Sequence, residues 1–183
     1  MKKHNRKEQR RYTTACNSID EAFKASSKIT AIRIDLGYKA GKSSAERMHN
    51  DLEKMRLNSR TNKIFKNQLS CVTKLEKSSN DGFHAHLLML FNGHKIKNHK
   101  AKAKQLGEYW VDNITKGDGT YHNCNTKKYD NYALGVIERK DENAINALKQ
   151  NVALYLCKDE QSIKSADGSD KKIKEFRCGT RKK

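Results

Sequence analysis

Apolar and polar residues alternate along several short stretches of the chain, and this period of two predicts β-strands. Five stretches show the pattern: residues 28–36, 68–77, 83–91, 132–138 and 174–178. The second and third flank Ser-Ser-Asn-Asp-Gly at positions 78–82, a composition typical of a hairpin turn. The sequence therefore predicts one β-hairpin and three further short strands.

Three other segments repeat their apolar residues every three or four positions, as helices do. The first begins at Ser43, because Glu46 follows three residues later as in a capping box. The other two cover residues 99–113 and 141–158. Their apolar stripes contain Met48, Leu52 and Met55 in the first helix, Ala103, Leu106 and Trp110 in the second, and Ile145, Leu148, Val152 and Leu156 in the third.

The resulting order, β-α-β-β-α-β-α, predicts an α+β fold. It suits an antiparallel sheet with helices on one face and the other face open, as in ferredoxin-like and RRM-like folds. Residues 116–130 are expected to form a loop. Residues 1–27 are expected to be a basic N-terminal arm, and residues 28–183 one domain with a basic C-terminal tail.

Net charge is the strongest global signal. The chain has 39 Lys and Arg against 21 Asp and Glu, a formal net charge of +18. Such an excess repels itself in the folded state, and binding to a polyanion relieves the repulsion. We therefore expect a nucleic-acid partner, with an anionic membrane surface or an acidic protein as the alternatives.

Composition also excludes several classes of protein. The longest apolar run, residues 87–91, is far too short to span a bilayer, and no apolar segment follows the basic N-terminus as in a secretory signal. The five cysteines form no CxxC pair, which argues against a zinc knuckle or a disulfide framework. Residues 37–43 differ from a P-loop by one missing residue, so ATP binding is not expected. We expect a cytoplasmic protein with reduced thiols.

Candidate chemistry lies on the hairpin. A turn over residues 78–82 places Glu76 opposite His84 and Lys74 opposite His86. Side chains alternate along a strand, so Glu76, His84 and His86 share one face, within about 5 Å across the strand pair. Two imidazoles and a carboxylate are a suitable set for a divalent cation. The alternative is that both histidines are surface residues without a metal.

A second candidate is the Y-x-x-K of Tyr155 and Lys158, at the end of the last predicted helix. Tyr155 falls at one edge of the apolar stripe, so its hydroxyl could face a neighbouring site, with Lys158 stabilising negative charge beside it. The alternative is a boundary tyrosine that anchors the helix, with Lys158 solvated.

Candidates for nucleic-acid contact come from the open sheet face and the basic ends. Arg33 shares its face of the first strand with Asp35; the two could touch DNA, orient a ligand or pair with each other. The full set of candidates is Arg33, Lys74, Arg177, Lys171 and Lys172.

Taken together, these motifs resemble the HUH superfamily of replication initiators and relaxases. The closer resemblance is to the YagK/YfjJ C-terminal-domain family, grouped with filamentous-phage (inovirus) replication proteins. It spans roughly residues 28–180. The motifs that carry it are Arg33-Ile34-Asp35-Leu36, Glu76, the segment from Gly82 to Leu88, Trp110, Tyr155-Leu156-Cys157-Lys158 and Phe176-Arg177-Cys178-Gly179.

This resemblance implies a fold and a reaction. Mg²⁺ or Mn²⁺ would be held by Glu76, His84 and His86, and Tyr155 would attack a phosphate of single-stranded DNA at an origin or hairpin. The products would be a 5′-phosphotyrosyl enzyme and a 3′-hydroxyl that primes rolling-circle replication of a phage, plasmid or mobile element, with a host helicase and polymerase as partners. Tyr129 and Tyr132 remain open as alternative nucleophiles. The rival interpretation is a non-catalytic nucleic-acid-binding or regulatory protein of such an element.

Overall fold

The structure, a computed structural model, describes residues 5–78, 82–126, 133–158 and 174–180. The strands in these ranges are β1 (Lys28–Tyr38), β2 (Gln68–Ser78), β3 (Gly82–Asn92), β4 (Gly119–Asn123), β5 (Gly135–Glu138) and β6 (Phe176–Thr180). The helices are α1 (Arg6–Ala25), α2 (Ala45–Asn58), α3 (His99–Tyr109), α4 (Glu142–Ala147) and α5 (Leu154–Cys157). One π-helical segment, Trp110–Ile114, extends α3, and a second, Leu148–Ala153, joins α4 to α5. We call α4, the joining segment and α5 together the last helix.

The six strands form one antiparallel sheet in the order β4-β1-β3-β2-β6, and β5 pairs with the beginning of β1. The α+β class and the antiparallel sheet are thus confirmed. The hairpin register is confirmed as well, since Glu76 lies opposite His84 and Lys74 opposite His86. β3, the most apolar strand, lies at the centre of the sheet between β1 and β2.

One face of the sheet is covered in large part by two helices. α2 and α3 pack on it, because their apolar stripes meet the apolar faces of β1, β2 and β3. The predicted stripe residues Met48, Met55, Ala103, Leu106 and Trp110 are all buried there.

The opposite face, expected to be open, is divided between two regions. α1 and the last helix cover one end of it, packing on a second apolar cluster formed by β1, β2 and β3. The expected N-terminal arm is therefore largely a helix of the folded domain, with Ala15 and Ile19 completely buried. Its narrow stripe of small and apolar residues is easily missed among many charges. The other end of this face carries the hairpin histidines.

Two local predictions are wrong. Residues 116–130 were expected to be a loop, but β4 lies within them and pairs with the end of β1. Its sequence is polar and carries no alternating apolar signal, because β4 is an edge strand. The second error is the start of α2: its N-cap is Ser44, whose hydroxyl accepts from the Arg47 amide, whereas Ser43 accepts from the amide of Phe83.

All five cysteines are free thiols, as expected: Cys16, Cys71, Cys124, Cys157 and Cys178. Among the described residues, no helix has the length and apolar character needed to cross a membrane.

Candidate metal centre and tyrosine

The hairpin brings two histidines and a glutamate into one group. The Glu76 carboxylate oxygen Oε2 lies 3.2 Å from His86 Nε2 and 3.6 Å from His84 Nε2. The two imidazole rings are nearly perpendicular, with centroids 4.9 Å apart. One potential ligand atom from each residue lies within 4.8 Å of the others, so this buried group could hold a metal ion.

The donor set fits a divalent cation in two respects. Consider two ligand atoms that each lie about 2.1 Å from one ion, at right angles to each other: they are about 3 Å apart. The distances from the Glu76 carboxylate oxygen to the two histidine nitrogens are close to this value. In addition, His84 Nδ1 is buried without a hydrogen-bond partner among the described residues. An unsatisfied buried ring nitrogen is costly unless a proton donor or a metal meets that nitrogen. Because Nε2 of the same ring faces Glu76, Nδ1 is a second possible ligand atom of His84.

Asp35 of β1 supports the group from the neighbouring strand. It lies directly opposite His86 in the sheet, and its Oδ1 is 2.6 Å from His86 Nδ1. When Nδ1–H donates to Asp35, the Nε2 lone pair points towards Glu76 and is available to a metal. Arg33 also pairs with Asp35, its Nε lying 3.4 Å from Oδ1. Of the three roles left open for Arg33 and Asp35, the mutual pair is therefore observed.

Proton binding in the metal-free group follows from these contacts. Burial opposes a charge on His86, but hydrogen bonds to Asp35 and Glu76 outweigh it and raise the His86 pKa to about 9. Burial also opposes ionisation of Glu76, yet hydrogen bonds from His84 and His86 lower its pKa to about 2. The Asp35 pKa is lowered for the same reason, since its hydrogen bond with His86 outweighs its burial. The group therefore concentrates negative charge around one imidazole, an environment that favours a cation.

Tyr155 lies beside this group. Its ring packs edge-on against the His86 ring, with centroids 5.7 Å apart, and the Arg33 guanidinium stacks on the tyrosine ring at 4.4 Å. The side chain is 41% exposed, so it is not an anchor buried in the core. Lys158, at the end of the same helix, has an exposed side chain.

The interpretation of Lys74 as a nucleic-acid contact is wrong. Its side chain is completely buried, and its ammonium donates to the backbone carbonyl of Lys158 at 2.9 Å. It also lies 3.9 Å from Glu76 Oε1. Lys74 faces the side of the sheet that the last helix covers, which the sequence pattern could not show. It ties the C-terminus of that helix to β2 instead of reaching solvent.

Arg177 is also remote from the candidate metal group. It pairs with Glu53 and contacts His49, both on α2, which packs on the opposite face of the sheet. The other predicted candidates, Lys171 and Lys172, and the alternative nucleophiles Tyr129 and Tyr132, lie outside the described residues.

Sequence reasoning missed the polar residues that β4 and the turn after it contribute. The side-chain amide of Asn125 forms two hydrogen bonds with the backbone of Arg33. It donates to the Arg33 carbonyl at 2.7 Å and accepts from the Arg33 amide. His122 lies directly opposite Asp35 in the sheet. No local sequence signal identifies either residue, because both depend on the pairing of β4 with β1.

Comparison of the chain with protein-family models, with curated protein sequences and with solved structures found no match.

Proposed function

We propose that this chain is a metal-dependent endonuclease that nicks single-stranded DNA through Tyr155, at an origin or hairpin, and so initiates rolling-circle replication of a phage, plasmid or mobile element. The observation that carries the proposal is the contact between the Tyr155 and His86 rings, because it puts a partly exposed nucleophile next to a group that could hold a metal. The net charge of +18 and the resemblance to HUH proteins support the same conclusion.

The proposed reaction is a transesterification. A divalent ion at the group would polarise the scissile phosphate. The Tyr155 Oη–P bond forms and the P–O3′ bond breaks, leaving a 5′-phosphotyrosyl link. The phenolic proton passes to solvent, and the departing 3′ oxygen takes up a proton to become the primer hydroxyl. Reversal of these steps joins strands.

Neighbouring residues have supporting roles in this proposal. Arg33, stacked on the Tyr155 ring, holds the ring in place and offers positive charge to the phenolate or the phosphate. Asp35 is a positioning residue that keeps the His86 Nε2 lone pair directed at the ion. Lys158, exposed at the end of the helix, would contact the strand.

Mn²⁺ suits the site better than Mg²⁺. Two of the three ligand atoms are imidazole nitrogens, and Mg²⁺ prefers an all-oxygen shell with several waters retained. We therefore expect Mn²⁺ to bind more tightly than Mg²⁺ in a calorimetric titration. His86→Ala should abolish this binding. The matched variant His94→Ala, at the far end of β3, should leave it unchanged.

The decisive experiment looks for the covalent link. The protein is incubated with Mn²⁺ and a pool of randomised single-stranded oligonucleotides labelled at the 3′ end, which stays with the phosphotyrosyl fragment. A labelled band should then migrate with the protein on a denaturing gel. The adduct should be lost in Tyr155→Phe and in the presence of EDTA. It should persist in Tyr121→Phe, since that ring faces α3 on the other side of the sheet.

Other outcomes have equally definite meanings. An adduct that survives in Tyr155→Phe but disappears in Tyr129→Phe or Tyr132→Phe would assign the nucleophile to that residue. Tight binding of the oligonucleotides without any adduct would support the non-catalytic nucleic-acid-binding protein instead.

A further inference from the structure

The face that carries the candidate metal group is closed on one side. Beyond β2, the last strand of the sheet is β6, and Phe176 lies opposite Lys74 there. The Arg11 guanidinium of α1 covers the Phe176 ring at 5.7 Å. Arg11 also forms a 2.7 Å ion pair with Glu175, which places a carboxylate on this side. The first turns of α1 therefore obstruct a DNA strand on the β6 side, whereas charge does not, because Lys7 and Arg11 both pair with Glu175.

On the other side, as far as the described residues show, the same face is exposed. Beyond β1 lies the edge strand β4, and its residues Thr120 and His122 are exposed. His122 lies opposite Asp35, so one row across the sheet runs from His86 through Asp35 to His122. Three adjacent strands span about 10 Å, which brings His122 within reach of nucleotides next to a phosphate at the metal group.

In the next row across the sheet, between His84 and Thr120, β1 has no side chain on this face, because its residue there is Gly37. Gly37 of β1 is paired with Thr120, and a Cβ added to Gly37 would lie 4.0 Å from His84 Cβ and 3.2 Å from Thr120 Oγ1. The Gly37 backbone is held from below, because Trp110 Nε1 donates to its carbonyl at 3.1 Å. A glycine in a strand allows another backbone to approach closely. The result is a shallow gap that leads from His84 to the β4 edge.

We propose that single-stranded DNA crosses this face from the candidate metal group over Gly37 to β4, and that His122 is its first contact beyond the scissile phosphate. The inference rests on the proposed function for the identity of the strand. His122 and the hydroxyl of Thr120 supply polar contacts to the phosphodiester. Gly37 supplies the space, since any larger side chain would fill the gap beside His84.

The test measures binding rather than nicking. A 20-nucleotide single-stranded DNA of random sequence, labelled with fluorescein, is titrated with protein and followed by anisotropy. We expect His122→Ala and Gly37→Val each to weaken binding about tenfold, the effect of losing one well-made contact. Valine suits a strand. Its Cβ would lie 4.0 Å from His84 Cβ and 3.2 Å from Thr120 Oγ1, and the Thr120 side chain is exposed and can shift by the few tenths of an ångström that this requires. We therefore expect the fold and Mn²⁺ binding to be retained.

Two variants serve as matched controls. Gly179→Val makes the same change on β6, where an added Cβ meets no atom within 4 Å. His94→Ala removes another exposed histidine, at the far end of β3. Both should bind within about twofold of the wild type. A loss confined to Gly179→Val would place the strand on the opposite face of the sheet, which Gly179 shares with Arg177, and would overturn the proposed path. Four variants with wild-type binding, or a wild type that binds no DNA, would also overturn it.

This experiment can fail independently of the nuclease proposal. Weakened binding in His122→Ala and Gly37→Val, without a tyrosyl adduct in the wild type, would keep the strand path and refute the nuclease. An adduct in the wild type, with unchanged binding in both variants, would keep the nuclease and refute the path.

Discussion

Replacement of Lys74 by methionine tests the interpretation of this lysine as an internal tie. Methionine has a similar length and no charge, so it fills the same space while removing the hydrogen bond to the Lys158 carbonyl. A hydrogen bond involving a charged group contributes about 1.5–3 kcal/mol, and the carbonyl is left without its donor. Glu76 keeps both histidines as partners, so no unpaired charge remains there.

The expected change in stability follows from these terms. In a domain of this size, 1 kcal/mol corresponds to a shift of about 2–4 °C in Tm. Removing the ammonium also removes the free-energy cost of burying it, which offsets part of the lost hydrogen-bond energy. We therefore expect the Tm of Lys74→Met to fall by about 3–6 °C. Thermal unfolding followed by circular dichroism measures it. Lys104→Met is the matched control. That side chain is 65% exposed and forms a surface ion pair with Glu108, so the Tm of this variant should change by less than about 2 °C.

A second readout separates this role from general damage. Lys74 lies close to Glu76, and its positive charge repels a cation at the candidate metal group. Lys74→Met should therefore bind Mn²⁺ more tightly than the wild type in calorimetry, although it is less stable. An unchanged Tm together with weakened DNA binding would refute the reasoning and return Lys74 to the nucleic-acid surface.

Three further predictions follow from single contacts. Gly107→Ala should destabilise the protein by about 1–3 kcal/mol in urea unfolding, because a Cβ there would overlap the Tyr121 ring; helix propensity alone, which favours alanine by about 1 kcal/mol, predicts the opposite sign. Asp35→Asn should lower the pKa of His86 in the metal-free protein from about 9, because one of the two carboxylates that raise it loses its charge; an NMR titration that shows no change would contradict the contact. A hydrogen bond from Arg56 lowers the Glu53 pKa to about 2. The stabilisation that ionised Glu53 contributes is therefore complete above about pH 4.5 and disappears as the pH falls through 2. Glu53→Gln should flatten the dependence of Tm on pH in that window.

The hairpin could be predicted from the sequence because its determinants are local. The alternation of side chains along β2 and β3 and the length of the turn together place Glu76, His84 and His86 on one face, as the structure shows. The helical stripes of α2, α3 and the last helix were predictable for the same reason. A wrong register by one residue would have moved every core side chain of β3 to the opposite face.

The position of Tyr155 was only partly predictable. The regular helical period placed it at the edge of the apolar stripe, but the π-helical segment Leu148–Ala153 precedes it and changes the phase of the helix. Its contacts with His86 and Arg33 also require the last helix to pack across β1 and β3. These facts depend on the packing of distant segments.

The sequence by itself thus determined the residues of the candidate metal group, the class of fold and the large positive net charge, since each follows from composition or from neighbours along the chain. Only the tertiary structure decided what surrounds those residues. The order of the strands places Asp35 next to His86 and Gly37 next to β4. The packing of the last helix buries Lys74. The physical reason is that strand neighbours and covered faces result from contacts between segments far apart in sequence, for which a single chain carries no local signal.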